Sequence, residues 1–361
     1  MTNDQLHDAI VALVPPLLTA LDGLALAGRH LHPPNIRDVA DAVGDFADPV
    51  IAGKAQVEAL EWPEHLQDFR QRILAGADEA LAGLEGLQGA VDSPEGPMAA
   101  YAALRHNTRA QEALYPLSAA LPTVSQFFLL PAARDDKALL EQLANVDRLR
   151  GDIGIFHHAN DRAERGGYSV YAPEQHEAGT PLPVVIALHG GSGHGADFLW
   201  TWLKAARTRN VLVISPSSQD RTWSLQNPAF DGQHLIQILN QVEQRWPIDR
   251  SRVLLTGMSD GGSFAWLVGL GQGVPFTHLA PISASFHPML LQLADGIQDK
   301  PIYLVHGALD WMFPIQTARD AASAATEAGA KLTFREIDDL SHTYPREENG
   351  PILDWFLSPG A

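Results

Sequence analysis

The chain has 361 residues, enough for two domains, and is 45% hydrophobic and 19% charged, so a large packed core is expected rather than disorder. A net charge of −18 and a pI near 5.1 argue against nucleic acid and anionic membrane surfaces as partners. With no cysteine there is no disulfide framework and no thiolate metal site.

The N-terminus carries no basic leader, and the apolar run from Ile10 to Leu21 is interrupted by Pro15-Pro16 and closed by Asp22. It reads as too short and too broken for a membrane span, so a soluble cytoplasmic protein is expected. Residues 1–150 are patterned as helix. Leu6, Ile10, Leu13, Leu17 and Leu21 recur at three and four, as do Leu66, Phe69 and Ile73, and Leu139, Leu143 and Val146. Breaks at Pro33-Pro34, Asp48-Pro49, 83–89 and 93–97 divide this half into four to six predicted helices. The stretch from Leu121 to Pro131 has a proline near each end and reads as extended. Its Phe127, Phe128, Leu129 and Leu130 need burial, which predicts packing against the second half. A lid, a targeting module or a surface for a homo-oligomer are the roles open to residues 1–150.

After residue 151 short apolar strands alternate with helical runs. Strands are predicted at 153–158, 168–171, 183–188, 211–215, 253–258, 278–284, 302–306 and 332–337. Helices are predicted at 232–246, 262–270, 314–328 and 350–357. This alternation specifies an α/β fold: a mostly parallel, doubly wound sheet in residues 151–361 behind an all-helical domain in 1–150. Function in such sheets gathers at the carboxyl ends of the strands.

The motifs fall there. Gly257-Met258-Ser259-Asp260-Gly261 follows the apolar Val253, Leu254 and Leu255 and precedes an apolar helix. This is G-x-S-x-G in its strand–turn–helix context, which makes Ser259 a candidate nucleophile. A serine hydroxyl needs a base, and the base needs an orienting acid. His342 lies on the loop after the last strand and Asp310 on the loop after strand 302–306, giving the chain order Ser, Asp, His. Asp338 and Asp339 are rivals for the acid. An oxyanion would need two backbone N–H donors. The amide of Asp260 is one. The loop His189-Gly190-Gly191-Ser192-Gly193 offers the other, Gly191 first and Gly190 as the alternative. That loop matches neither G-x-G-x-x-G nor the lysine-bearing phosphate loop, so no cofactor is expected. Trp311, Phe313 and Trp223 are candidate walls of a substrate pocket, each with a place in the core as the competing assignment. The histidines form no convincing metal site. His189 and His306 read as hydrogen-bonding supports of their loops.

Taken together, Leu188-His189-Gly190-Gly191, the Gly257–Gly262 elbow, His306–Pro314 and Ser341-His342 make residues from about 153 to the end resemble the α/β-hydrolase superfamily. The likeness is to its phospholipase/carboxylesterase and polyhydroxybutyrate-depolymerase-like esterase branches. The resemblance implies a Ser259–His342–Asp310 triad acting on a small-molecule ester without a cofactor or metal. The expected activity is that of a serine carboxylesterase on small or medium acyl chains. A serine peptidase of prolyl-oligopeptidase type and a non-catalytic binding module on the same scaffold are the alternatives. The helical first half is not part of the minimal fold.

Overall fold

Leucine and alanine at helical spacing build the first half of the chain. The computed structural model describes residues 2–286 and 296–359. Helix α1 (Asn3–His30) opens on a capping box between Thr2 and Gln5 and closes on Arg29 and His30, charges that suit the negative end of the helix dipole. It runs unbroken through Pro15 and Pro16, where the sequence suggested an interruption. Each proline removes one N–H and crowds the turn before it. The buried stripe of Leu13, Leu17, Leu21 and Leu24 supplies the packing that offsets this. By length and composition α1 would suffice to cross a membrane, and half of its most apolar window is buried.

Helices α2 (Ile36–Gly44), α3 (Ala47–Glu58), α4 (Gln67–Ala90), α5 (Gly96–Leu114) and α6 (Pro122–Phe127) follow. Helix α3 meets α1 at Gly53, where an added Cβ would fall 2.4 Å from the Ala12 carbonyl oxygen. Only glycine allows that approach. The stretch 121–131 is not extended as expected. Pro122 occupies the first turn of α6, where a missing N–H is harmless, so the proline starts a helix. Phe127, Phe128 and Leu129 are buried. The Phe128 ring meets Tyr115 and Phe127 edge-on at 5.2 and 5.1 Å. A shallow groove lined by Ala47, Ile51, Leu81 and Leu84 also belongs to this unit.

The chain divides into compact units at Met1–Arg134 and Asp135–Ala361, not near residue 150. Helix α7 (Lys137–Ala144) continues the helical pattern, but the residues after it are tied into the second unit. Arg150 makes two hydrogen bonds to Asp152 and one of 2.9 Å to the His176 carbonyl. Arg148 reaches Glu174 at 3.7 Å. Glu174 is itself buried, accepts the Tyr171 hydroxyl at 2.6 Å and pairs with the fully buried Arg207 at 2.9 Å. Removing one member of a buried pair strands the other charge. Glu174→Ala is therefore expected to lower stability by about 3–5 kcal/mol in urea unfolding. A loss of only ~0–1 kcal/mol, the scale of a surface pair, would contradict this.

Eight strands form one sheet in the order β1-β2-β4-β3-β5-β6-β7-β8. They are β1 (Gly154–His158), β2 (Tyr168–Ala172), β3 (Leu182–Leu188), β4 (Leu212–Pro216), β5 (Ile248–Met258), β6 (His278–Ile282), β7 (Pro301–Gly307) and β8 (Lys331–Ile337). Strand β2 is antiparallel to β1 and β4, and every other pairing is parallel. The intervening helices are α8 (Gly195–Arg209), α9 (Pro228–Glu243), α10 (Asp260–Gly269), α11 (Ile315–Glu327) and α12 (Asn349–Leu357). From β3 the chain moves outward to β4, then returns past β3 to β5. Right-handed crossovers therefore put α8 on one face and α9, α10 and α11 on the other. The α8–α12 and α9–α10 contacts agree. This is the mostly parallel, doubly wound sheet that the alternating pattern specifies. The reversal at β3 and β5 opens a crevice at their carboxyl ends, where such sheets place their ligands. The loop 189–193 and Ser259 leave from those two strands.

Candidate active site

Ser259 sits between β5 and α10 with φ 55° and ψ −120°, a backbone conformation that a residue with a side chain rarely adopts. The flanking glycines make the turn possible. A Cβ on Gly257 would lie 2.6 Å from the Gly261 backbone, and one on Gly261 2.5 Å from the carbonyl oxygens of Leu188 and His189. The Ser259 N–H donates to the Ile282 carbonyl and its own carbonyl accepts from Ser263 N–H, so both neighbouring elements hold the strained residue in place.

The structure brings Ser259, His342 and Asp310 together. His342 Nε2 lies 3.0 Å from Ser259 Oγ, and Nδ1 lies 2.8 Å from Asp310 Oδ2. Asp310 and His342 are buried and Ser259 is half-buried. Asp310 Oδ1 accepts the N–H groups of Met312 and Phe313 at 3.0 and 2.8 Å. The carboxylate is therefore fixed on one side by its own loop and left with one oxygen for the imidazole. The Leu309 N–H donates to the Leu340 carbonyl at 3.0 Å, lacing the two loops together. The rivals Asp338 and Asp339 lie in the turn after β8, and it is Asp310 that meets the ring.

His306, at the end of β7, is buried 3.5 Å from Asp310 Oδ2 and donates from Nε2 to the Phe313 carbonyl at 2.8 Å. Burial is the main reason its pKa lies below the ordinary histidine value. The sign follows from linkage. A depressed folded-state pKa adds stability above the unfolded value of roughly 6.5, and that stability is lost as pH falls through the folded value. The melting temperature is expected to drop between neutral and acid pH, and His306→Gln to make that drop shallower. An identical slope in the variant would assign the effect elsewhere, for example to His194, whose pKa burial also lowers.

The loop after β3 is held by its histidine. His189 Nδ1–H donates to the Gly190 carbonyl at 2.7 Å, and Nε2 accepts the Ser218 N–H at 3.1 Å. Gly193 N–H donates to the same Gly190 carbonyl at 3.0 Å. In a trans peptide the C=O and the following N–H point opposite ways, so the Gly191 N–H is turned away from these donors. A Cβ on Gly191 would lie 2.8 Å from Asp260 Oδ2, so the Asp260 side chain lies against this loop. Among the described residues none of the Gly190, Gly191 and Asp260 amides has an acceptor.

The aromatic residues separate. Trp223 is not a pocket wall. It is buried, donates from Nε1 to the His189 carbonyl at 2.8 Å, and stacks on Phe264 at 5.4 Å. It supports the loop after β3 from within the core. Phe313 meets the His342 ring edge-on at 5.2 Å, and Trp311 is 42% exposed on the same loop. The sequence singled out neither Thr222 nor Arg221. Thr222 Oγ1 donates to Asp260 Oδ2 at 2.7 Å, and Arg221 Nε donates to Ser192 Oγ at 3.1 Å.

The sheet order and the strained strand–turn–helix elbow are those of the α/β-hydrolase fold. The chain's curated relatives are esterases. It is 24% identical over 155 residues to the probable feruloyl esterase C of Aspergillus niger, a match covering 41% of this chain and 56% of that protein. It is 28% identical over 186 residues to the bifunctional acetylxylan esterase/xylanase XynS20E of Neocallimastix patriciarum, covering 48% of this chain and 27% of that protein. The chain thus spans about half the length of the first and about a quarter of the second. A solved structure of a truncated carbohydrate esterase from gut microbiota is 15% identical, with a TM-score of 0.47, covering 57% of this chain and 97% of that one. No protein-family model matches.

Proposed function

We propose that the protein is a serine carboxylesterase acting on esters of small or medium acyl chains through an acyl-enzyme on Ser259. The observation that carries the reading is the continuous relay from Ser259 Oγ to His342 to Asp310, at 3.0 and 2.8 Å. In this mechanism the neutral His342 takes the serine proton at Nε2 as Oγ attacks the ester carbonyl. Asp310 holds the ring with its proton on Nδ1 and stabilises the imidazolium that forms. The carbonyl oxygen becomes an oxyanion received by the Gly191 and Asp260 N–H groups. His342 returns its proton to the leaving alcohol, and the acyl group stays on Oγ. Water then attacks with the same base, releasing the acid and restoring the serine. Trp311 and Phe313 form an apolar wall for the acyl group. The curated relatives' names make acetyl and feruloyl esters the first substrates to try.

The test is a fluorophosphonate probe followed by peptide mapping, run beside a p-nitrophenyl ester series of increasing acyl length. Labelling at Ser259 with turnover of the short esters supports the reading. A chain that takes no label and turns over no ester is a binding module instead. Peptide-amide substrates turned over faster than esters would favour a peptidase.

A further inference from the structure

Three consecutive residues reach the two elements expected to receive an oxyanion. Arg221, Thr222 and Trp223 lie between β4 and α9, and each donates one side-chain hydrogen bond to a different acceptor. Arg221 Nε donates to Ser192 Oγ at 3.1 Å, Thr222 Oγ1 to Asp260 Oδ2 at 2.7 Å, and Trp223 Nε1 to the His189 carbonyl at 2.8 Å. Ser192 and His189 belong to the loop after β3, and Asp260 is the residue next to Ser259.

The segment is itself pinned. Asp231, buried in the first turn of α9, accepts the Gln219 N–H at Oδ1 and the Ser224 N–H at Oδ2, 3.1 and 2.8 Å away. One carboxylate thus holds both ends of residues 219–224. The elements that the segment grips need holding. Ser192 has φ 57°, a left-handed conformation that persists in a residue with a side chain only where the surroundings enforce it. Gly190 and Gly191 have no side chains to anchor them, yet they lie closest to the elbow. A Cβ on Gly190 would fall 3.5 Å from Ser259 Cβ, and one on Gly191 2.8 Å from Asp260 Oδ2. The Asp260 carboxylate therefore rests against the Gly191 backbone with the Thr222 hydroxyl on the same oxygen.

We propose that residues 221–223 are a clamp that sets the oxyanion-binding geometry, with Thr222 as its central positioning residue. Thr222 acts through Asp260. A carboxylate accepts an N–H more strongly than an ester carbonyl does. Released from Thr222, it would turn onto the neighbouring Gly191 N–H and block a donor that must stay aimed at the developing charge. The inference rests on the esterase reading above and goes beyond it by assigning residues outside the Ser259–His342–Asp310 relay.

The experiment measures kcat and KM on p-nitrophenyl acetate, and inhibition by phenyl trifluoromethyl ketone, whose adduct on Ser259 carries the oxyanion. Thr222→Val keeps the shape and removes the donor. It should lower kcat by about 10–100-fold, less than the loss of a whole oxyanion donor, with KM little changed and the inhibitor weakened in step with kcat. Thr222→Ser restores the hydroxyl and should return both readings to within about threefold of wild type. In an Asp260→Asn background no charged acceptor competes, so the Thr222→Val penalty should shrink below about threefold. Arg221→Met cuts the exposed arm of the clamp and should lower kcat and inhibitor affinity together by roughly 3–10-fold. Melting curves check that each variant folds, and Arg221→Met decides the question if Thr222→Val does not. Wild-type kcat and inhibition in the folded variants, or an equal Thr222→Val penalty in both backgrounds, would overturn the inference and leave the esterase reading standing. A wild-type protein that hydrolyses no ester and takes no label at Ser259 would overturn both.

Discussion

Ser259→Ala should lower kcat on p-nitrophenyl acetate by about 10⁶, the scale seen when a serine nucleophile is removed from an intact triad. KM should change little, because the hydroxyl acts on the carbonyl carbon rather than holding the substrate. The protein should still fold. Ser259 Oγ has His342 as its partner, and alanine accepts the same backbone angles at the same strain. A companion variant separates strain from chemistry. Ser259→Gly relieves a φ of 55° that costs on the order of 1–3 kcal/mol for a residue with a side chain. It should be equally inactive and melt higher than the alanine form. Near-normal turnover in either variant, measured with enzyme purified free of host esterases, would remove Ser259 from the mechanism.

Asp310→Asn should lower kcat by about 10⁴, and the structure says why. Oδ1 is held by two N–H donors, from Met312 and Phe313. An asparagine would keep its oxygen there and turn its NH₂ toward His342. The ring would then accept at Nδ1 and carry its proton on Nε2, where it could no longer receive the serine proton. Fluorophosphonate labelling should slow in step with turnover, since both need an activated Oγ. Asp338→Asn is the control and should remain active. A loss of less than tenfold in the Asp310 variant, or an equal loss in the Asp338 variant, would reassign the acid.

Local motifs made the second unit legible. Gly257, Ser259 and Gly261 are constrained by one turn, and a turn writes its requirements into neighbouring residues. The order Ser259, Asp310, His342 was readable because each lies on the loop or turn after a predicted strand. What escaped was set by tertiary contact. Trp223 is as apolar as Trp311, and nothing in its own stretch says that its indole N–H supports the His189 carbonyl while Trp311 meets solvent. Pro122 looked like a strand boundary although the same residue can open a helix. Strand β5 begins at Ile248, earlier than expected. After the buried Ile248, residues 249–252 are polar and more exposed, and a register shift against β3 breaks the alternation.

The Glu174–Arg207 pair also fixes where the protein can be divided. A fragment beginning at residue 151 would discard Arg148 and Arg150, and with them the clasp on Glu174 and on the His176 carbonyl. One beginning at Asp135 would keep both. Expressed side by side, the longer fragment should be recovered from the supernatant with a sharp melt, and the shorter should precipitate or melt broadly. If two ancestral genes were ever fused to make this chain, the seam lies at Arg134, ahead of α7 rather than behind it.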